Sequence, residues 1–227
     1  MTYYNQVEML NKQLDIWKSY SDYLKNNMKF IIIDDCSQEM PDKSSLRMAS
    51  SELDIALYRI TDDIFFNVPG AVNLGAFITD TPWFLKQDMD TTVPNNSMGQ
   101  LLRVLSEDKQ NTIYKYYRVN GTKTSSPFKI TPGQFCVRKD DFWKIGAWDE
   151  DFCGNYGMND PFFFHRARAF GYSIEERKDI KVYIDENGES DIVRDVTANK
   201  ELFNKKTSDT LSWSDEYLRF SWERVEL

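Results

Sequence analysis

The sequence predicts an α/β domain with a mainly parallel central sheet flanked by helices. Its 227 residues, 41% of them hydrophobic, are enough for one sizeable domain with a buried core. A continuously apolar run, 29–33, precedes Asp34 and Asp35, as expected of a strand buried on both faces. Two further short runs, 55–60 and 83–85, alternate with segments of helical character, the pattern of a sheet built from βα units.

The helices follow from apolar spacing and end signals. Apolar residues recur at three- and four-residue steps through the first thirty residues and predict a helix, with Asn5 as its cap and Glu8 completing a capping box. A loop at 67–75 is expected to open into another helix. In the second half we expect strands at 112–119 and 134–137, separated by a turn-rich stretch at 120–132.

The carboxyl-terminal half supplies the remaining helices. A helix is expected at 140–145, and another begins at Asn159 or Pro161 and ends before Gly171, which is suited to a left-handed cap. The charged and aromatic stretch 201–227 is expected to pack back on the domain.

Composition excludes several classes of function. The net charge of −8 disfavours broad nucleic-acid binding, and no stretch approaches the roughly 20 apolar residues of a membrane span. Met1–Gln6 lacks the features of a signal peptide, so we expect a cytoplasmic location. The cysteines at 36, 136 and 153 are too few and too scattered to indicate a disulfide framework or a zinc site.

Acidic residues follow two of the predicted strands. Asp34 and Asp35 come after the first, and Asp88 and Asp90 after the third, so both pairs are expected at the edge where α/β sheets bind ligands. Asp-x-Asp places two carboxylates within reach of one hard cation. The same patterns are also typical of a solvated turn and of a helix-capping turn.

Four motifs follow one another along the chain. A strand ends in Asp34-Asp35-Cys36-Ser37, and the segment 67–75 contains Gly-Ala-x-Asn-x-Gly at an expected helix start. The segment 83–90 is a strand followed by Asp-x-Asp, and the stretch 145–160 is followed by Arg166. In this order the four motifs resemble glycosyltransferase family 2, whose members have the GT-A fold, and the last of them is similar to that family's acceptor-side segment.

The resemblance implies one domain over 1–227 with a nucleotide-binding half, 1–95, and an acceptor-binding half, 96–227. It implies a metal-dependent, inverting hexosyl transfer from a nucleotide sugar, with uridine the favoured base, to a hydroxyl of a glycan or other acceptor. Asp88 and Asp90 would hold Mn²⁺ or Mg²⁺. The residues implied in nucleotide-sugar binding are Thr2, Tyr4, Asp34, Asp35, Asn67, Gly70, Asn73 and Asp88.

On the acceptor side, the resemblance implies that Asp160 is the general base and that Trp148, Asp149 and Glu150 contact the acceptor. A positioned carboxylate suits this chemistry because a hydroxyl is a poor nucleophile. The alternative is that Asn159-Asp160 only caps the helix that begins at Pro161, and the general base is the favoured interpretation.

A third metal ligand is left open by the sequence. His165, the single histidine, could be that ligand, but a packed position on its helix is the favoured interpretation. Asp185 and Asp191 are the other candidates.

Two other classes of function remain as alternatives. Asp88-Met89-Asp90-Thr91 also resembles the nucleophile motif of haloacid-dehalogenase-type phosphatases, although it falls in mid-chain. The other alternative is a non-catalytic carbohydrate-binding module. In such a module sugar rings would stack on Trp83, Trp143, Trp148 and Trp213. Core packing also explains tryptophans of this kind.

Overall fold

The computed structural model describes residues 1–119, 128–185 and 193–227. Nine strands and eight α-helices lie in these ranges, together with two short 3-10 helices at Glu150–Phe152 and Thr210–Ser212. The strands are β1 (Thr2–Tyr3), β2 (Phe30–Asp35), β3 (Ile55–Ile60), β4 (Trp83–Lys86), β5 (Thr91–Thr92), β6 (Thr112–Val119), β7 (Phe128–Arg138), β8 (Ser173–Ile184) and β9 (Trp222–Val225). The helices are α1 (Val7–Lys18), α2 (Asp22–Asn26), α3 (Lys43–Ala49), α4 (Val68–Ile78), α5 (Asn95–Leu105), α6 (Lys139–Ile145), α7 (Asn159–Ala169) and α8 (Thr197–Ser208).

The strands form two sheets. The first has the order β1-β2-β3-β9, in which β1, β2 and β3 are parallel and β9 is antiparallel to β3. The second has the order β4-β7-β6-β8-β5. In it β6 and β8 are parallel, whereas β7 is antiparallel to both β4 and β6, and β5 is antiparallel to β8. The mixed α/β class predicted from the sequence is confirmed. However, β4 does not extend the parallel strands β1, β2 and β3 of the first sheet. It lies in the second sheet, where it pairs antiparallel with β7.

The amino-terminal helix is shorter than the sequence predicted. The chain first forms β1, and α1 begins at Val7 after Gln6, whose side chain makes no capping hydrogen bond. Asn5 does not cap the helix, because its side chain accepts a hydrogen bond from the Glu39 backbone N–H at 2.8 Å. The helix ends before Ser21, which caps α2 separately.

Three buried clusters hold the elements together. The largest packs α1, α2 and α5 against both sheets, and the ring of Trp17 contacts that of Phe30 at 4.5 Å between centroids. A second is aromatic and centres on Phe135, which stacks on Phe163 of α7 at 5.1 Å. The third lies between α4 and the outer face of the first sheet. The stacking of Phe135 on Phe163 in the second cluster fixes α7 against β7.

The second half follows the predicted order with one difference. Strand β6 matches the expected range, and α7 ends before Gly171, whose φ of +78° is the left-handed conformation expected there. The chain is already in strand β7 from Phe128, so the carboxyl-terminal part of the predicted turn-rich stretch is strand. Its first part, 120–127, lies outside the described residues.

The carboxyl-terminal segment packs back on the domain as expected. Strand β9 completes the first sheet, and the indole N–H of Trp213 donates to the backbone carbonyl of Lys206 at 2.7 Å. The Lys206 ammonium is buried between Asp149 and Asp151, at 2.8 Å from each, and donates to the carbonyl of Ser212. This ion-pair cluster ties α8 to the turn before α7.

No helix in the described part of the chain is long and apolar enough to cross a membrane.

We expect Lys206→Met to destabilise the fold. The change removes the cation that neutralises fully buried Asp149, and breaking one partner of a buried ion pair costs about 3–5 kcal/mol. Urea denaturation measures the loss in free energy of unfolding. Lys205→Met, at the exposed neighbouring position, is the matched control and should change stability little. Equal stability of the two variants would contradict the interpretation.

Candidate active site

A polar cavity of about 350 Å³ lies where β1, the ends of β2 and β4, and the start of α7 converge. Seven of the residues singled out in the sequence line it: Thr2, Tyr4, Asp35, Asp88, Asp90, Trp148 and Asp160. They come from both halves of the chain. The structure therefore brings Asp35, the Asp88/Asp90 pair and the expected general base to one site.

Asp35 is the buried acid at the end of β2, on one side of the cavity. Its Oδ2 accepts from the backbone N–H of Asn67 at 3.2 Å, whereas its buried Oδ1 has no hydrogen-bond partner among the described residues. Burial raises the pKa of this carboxyl to about 7, with a smaller contribution from the charge of Asp34 and against the opposing effect of the Asn67 hydrogen bond. A buried carboxylate oxygen without a hydrogen-bond partner is costly unless water or a ligand supplies the missing hydrogen bond.

Asp34 has a different role from Asp35. It is completely buried, and its Oδ2 lies 2.8 Å from the Arg59 guanidinium while its Oδ1 accepts from the backbone N–H of Ser37 at 3.0 Å. These contacts hold the turn that follows β2. Asp34 does not line the cavity.

Three other residues expected to bind nucleotide lie beneath the cavity and not on its surface. Asn67 is buried and accepts a hydrogen bond from the Cys153 thiol at 3.0 Å. A Cβ at Gly70 would lie 2.3 Å from Oδ1 of Asn67 and 2.4 Å from the Phe220 ring, so the glycine permits close internal packing. The side-chain amide of Asn73 donates to the Trp148 carbonyl and to Glu150, and it accepts from the Trp148 backbone N–H.

Asp149 and Glu150 are likewise used within the protein. Asp149 pairs with Lys206, and Glu150 accepts from Asn73 and from the backbone N–H groups of Leu218 and Arg219. Both acids are buried and neither lines the cavity, whereas Trp148 between β7 and α7 does. This geometry favours a structural role for the two acids over direct contact with an acceptor.

Asp88 and Asp90 lie on the loop between β4 and β5. Oδ2 of Asp88 accepts from Gln134 at 3.3 Å, and Oδ1 of Asp90 accepts from the Thr91 hydroxyl at 3.1 Å. Burial raises the pKa of Asp90, and the charge of Asp88 raises it further. Two carboxylates that repel one another in a partly buried site fit a divalent cation, which prefers oxygen ligands.

Neither His165 nor Asp185, two of the candidates for a further metal ligand, lines the cavity. His165 packs among Phe162, Phe203 and Trp213 on α7, as favoured from the sequence, and lies outside the cavity lining. Asp185 forms an ion pair with Lys12 at 3.0 Å, and its backbone N–H donates to the carbonyl of Asp90. Asp191 lies outside the described residues. Within the described ranges no group of three or more His, Cys, Asp or Glu side chains is arranged to hold a metal.

Asp160 faces the same space as Asp88. It lies in the first turn of α7, where a carboxylate is favoured by the helix dipole. A Cβ built on Gly133 would lie 3.9 Å from Oδ2 of Asp160 and 3.9 Å from Oδ2 of Asp88, so the two carboxylates converge on one glycine. Burial raises the pKa of Asp160, and the nearby Lys86 opposes that shift.

Sequence reasoning missed the cations of the cavity. Lys86, Arg118 and Arg194 all line it, although the chain as a whole is acidic. One signal was available, since Lys86 lies only two residues before Asp88 along the chain. Arg118 and Arg194 come from distant parts of the chain, and no local pattern indicates them.

The sequence matches no model of a known protein family and no curated protein. Solved structures do match. A mannosyltransferase from Pyrobaculum calidifontis, solved in complex with GDP-Man and Mn²⁺, has a TM-score of 0.62 at 13% identity over 82% of this chain and 56% of its own. GalNAc-T7, solved with UDP, GalNAc and Mn²⁺, gives 0.61 at 14% identity over 81% of this chain and 42% of its own.

A third match is TarS of S. aureus, with a TM-score of 0.64 at 12% identity over 91% of this chain and 42% of that one. The chain has the GT-A fold. It spans about half the length of the GT-A structures that it matches. At these identities the likeness concerns the fold, and the activity must be argued from the site.

The raised pKa of Asp35 predicts a pH-dependent stability. Because its folded-state pKa of about 7 exceeds the ordinary 3.8, the folded protein binds this proton more tightly than the unfolded chain. Its contribution is therefore present at low pH and is lost as the pH rises towards 7. We expect Asp35→Asn, which keeps an acceptor for Asn67, to stabilise the protein at pH 8 relative to wild type by up to about 4 kcal/mol.

Urea denaturation at pH 5 and pH 8 measures this difference, which should shrink at the lower pH. Asp15→Asn, at an exposed position on α1, is the control and should leave the pH dependence unchanged. A stability gain in Asp35→Asn that does not vary with pH would show that protonation of Asp35 is not its source.

Proposed function

We propose that this domain is a metal-dependent, inverting glycosyltransferase that moves a hexosyl group from a uridine-diphosphate sugar to a hydroxyl of a glycan or other acceptor. The observation that carries the proposal is the convergence of Asp35, the Asp88/Asp90 pair and Asp160 on one cavity of a GT-A fold. Solved proteins of this fold with UDP or GDP-Man and Mn²⁺ support the donor class and the metal.

The donor would lie along the β1–β2 edge. The Asp35 carboxyl group, which lines the cavity, would contact the nucleotide, with Thr2 and Tyr4 forming the adjacent wall. Arg118 and Arg194 provide positive charge for the phosphates. We propose that residues 1–95 supply most of the nucleotide contacts and residues 96–227 the acceptor side.

Asp88 and Asp90 would hold Mn²⁺ or Mg²⁺, with the remaining coordination positions taken by donor phosphate oxygens and water. When bound, this ion would neutralise charge developing on the diphosphate leaving group. The mutual repulsion of the two carboxylates supports this assignment, because a dication relieves it.

Asp160 would act as the general base. Its carboxylate takes the proton of the acceptor hydroxyl while that oxygen bonds to the anomeric carbon, and the bond from this carbon to the diphosphate oxygen breaks with its electron pair leaving on the diphosphate. Such direct displacement inverts the anomeric centre. The burial that raises the pKa of Asp160 makes it a stronger base, and the helix dipole and Lys86 favour its ionised form. Buried Trp148 forms part of the wall beside the acceptor.

The rival functions have less support. A phosphatase of the haloacid-dehalogenase type would need Asp88 as a covalent nucleophile, but this side chain is paired with Lys86 on a loop between two strands of the second sheet. Of the tryptophans proposed as stacking platforms, Trp148 lines the cavity and is itself buried. Release of sugar from a nucleotide sugar, as opposed to phosphate from a monoester or no reaction, distinguishes the three classes.

The metal assignment predicts that binding of UDP depends on Mn²⁺. In wild-type protein, calorimetry should detect UDP binding with Mn²⁺ and much weaker binding with the metal chelated. Asp90→Ala should lose this dependence while keeping its fold, since it removes a ligand that lies at the cavity surface. Asp80→Ala, at an exposed position paired with Lys29, is the control. Equal UDP affinity in wild type with and without metal would refute the assignment.

The base assignment predicts that Asp160→Asn loses transfer but not donor binding. Asparagine keeps the size and capping ability of the side chain and removes the proton acceptor, so transfer should fall by about 10²–10⁴. Transfer rates and UDP affinity would be measured on the same preparation. A near-normal transfer rate would exclude Asp160, whereas loss of both properties would indicate a structural role.

A further inference from the structure

Lys86 is a buried cation at the centre of the cavity, between the expected metal ligands and the expected base. It is 7% exposed, and lysine is almost never buried without a partner. Its ammonium donates to Oδ1 of Asp88 and lies 5.5 Å from the centroid of the Trp148 ring. A Cβ built on Gly133 would lie 3.3 Å from Nζ, near the same point on which Asp88 and Asp160 converge.

The position of the Lys86 side chain follows from its place in strand β4. Lys86 is the last residue of β4, and its register with Phe135 of β7 holds the backbone on the floor of the cavity. Trp148 restricts the space on one side, so the ammonium has Asp88 as its direct carboxylate partner in the described structure. Lys86 is therefore part of the site and not a surface charge that reaches into it.

Both oxygens of Asp88 accept hydrogen bonds, Oδ1 from Lys86 and Oδ2 from Gln134. A metal ion held by Asp88 would coordinate at least one of these oxygens. Moving a buried ammonium away from its carboxylate is unfavourable unless another anion replaces that carboxylate. A donor diphosphate would supply such an anion in the same cavity.

We propose that Lys86 competes with the divalent metal for Asp88, so that the metal binds tightly only together with the donor diphosphate. Lys86 is thereby a positioning residue that makes metal and donor binding interdependent. The inference rests on the proposed function, because it takes Asp88 and Asp90 as the metal ligands. It concerns the order and coupling of binding, which that function leaves open.

The test measures Mn²⁺ binding directly, by electron paramagnetic resonance of the free ion, with and without UDP. In the absence of UDP, Lys86→Met should bind Mn²⁺ about tenfold more tightly than wild type, since it removes the competing charge and keeps the length of the side chain. Addition of UDP should increase Mn²⁺ affinity by a larger factor in wild type than in Lys86→Met, because the variant has no ion pair left to break.

Two control variants separate this mechanism from a general effect of charge. Lys115→Met removes a partly buried lysine that packs over Phe164 near Asp160, and it should leave Mn²⁺ affinity close to wild type. Lys86→Arg keeps the charge and should retain weak binding without UDP. Circular dichroism checks the fold, and if Lys86→Met does not fold, Lys86→Gln serves in its place.

The outcomes are distinct. Tighter Mn²⁺ binding in Lys86→Met but not in Lys115→Met supports the inference. Equal binding by wild type and Lys86→Met, with UDP-dependent Mn²⁺ binding intact, overturns the inference and leaves the proposed function in place. An equal gain in Mn²⁺ affinity in Lys86→Met and Lys115→Met also overturns the inference. Absence of Mn²⁺ binding by wild type even with UDP overturns the proposed function itself, and the inference with it.

Discussion

The side-chain amide of Asn73 joins the two halves of this domain. Its Oδ1 accepts from the backbone N–H of Trp148 at 2.9 Å, and its Nδ2 donates to the Trp148 carbonyl and to Glu150, each at 2.8 Å. Glu150 in turn accepts from the backbone N–H groups of Leu218 and Arg219, which lead into β9 at the edge of the first sheet. One completely buried amide thus links α4, the wall of the cavity and the carboxyl-terminal strand. In a low-dielectric interior, leaving any of these groups unpaired would be costly.

The acidic residues divide according to how the fold neutralises them. Asp34 and Asp149 are completely buried and paired with Arg59 and Lys206, so their charges are satisfied within the protein. Asp35 has a buried oxygen with no partner in the described chain, and its pKa is raised by burial to about 7. Buried charge without internal compensation marks a functional site better than acidity itself. By this criterion Asp35, which lines the cavity, differs from Asp34 and Asp149, which do not.

The cavity also contains positive charge beside its acids. The chain carries a net charge of −8, yet Lys86, Arg118 and Arg194 line the same cavity as Asp88 and Asp90. Local donors of this kind can hold an anionic ligand whatever the sign of the total charge. The arrangement places cations and carboxylates close enough to exchange partners when a charged ligand enters, and the Lys86–Asp88 pair is the contact where such an exchange would begin.

The local sequence pattern was sufficient to predict most of the strands and helices. The apolar run before Asp34, the strand at 55–60 and the helix ending before Gly171 follow from periodicity and end signals, and the structure has all of them. The order of the acidic motifs also pointed to the GT-A fold. Asn5 was assigned wrongly because an asparagine at a helix start is a local signal, whereas its actual partner at Glu39 is brought near by the pairing of β1 with β2.

Tertiary structure alone decided which polar residues face the cavity. Asn73, Asp149 and Glu150 are polar residues in motif-like segments, and the sequence does not show that their hydrogen-bonding capacity is used inside the protein. Arg118 and Arg194 carry no motif and reach the cavity through strand pairing and loop position. A sequence specifies periodicity and turn chemistry over a few residues. Hydrogen-bond satisfaction and charge pairing are set by partners 25 to 77 positions away, as for Arg59 with Asp34 and Asn73 with Glu150.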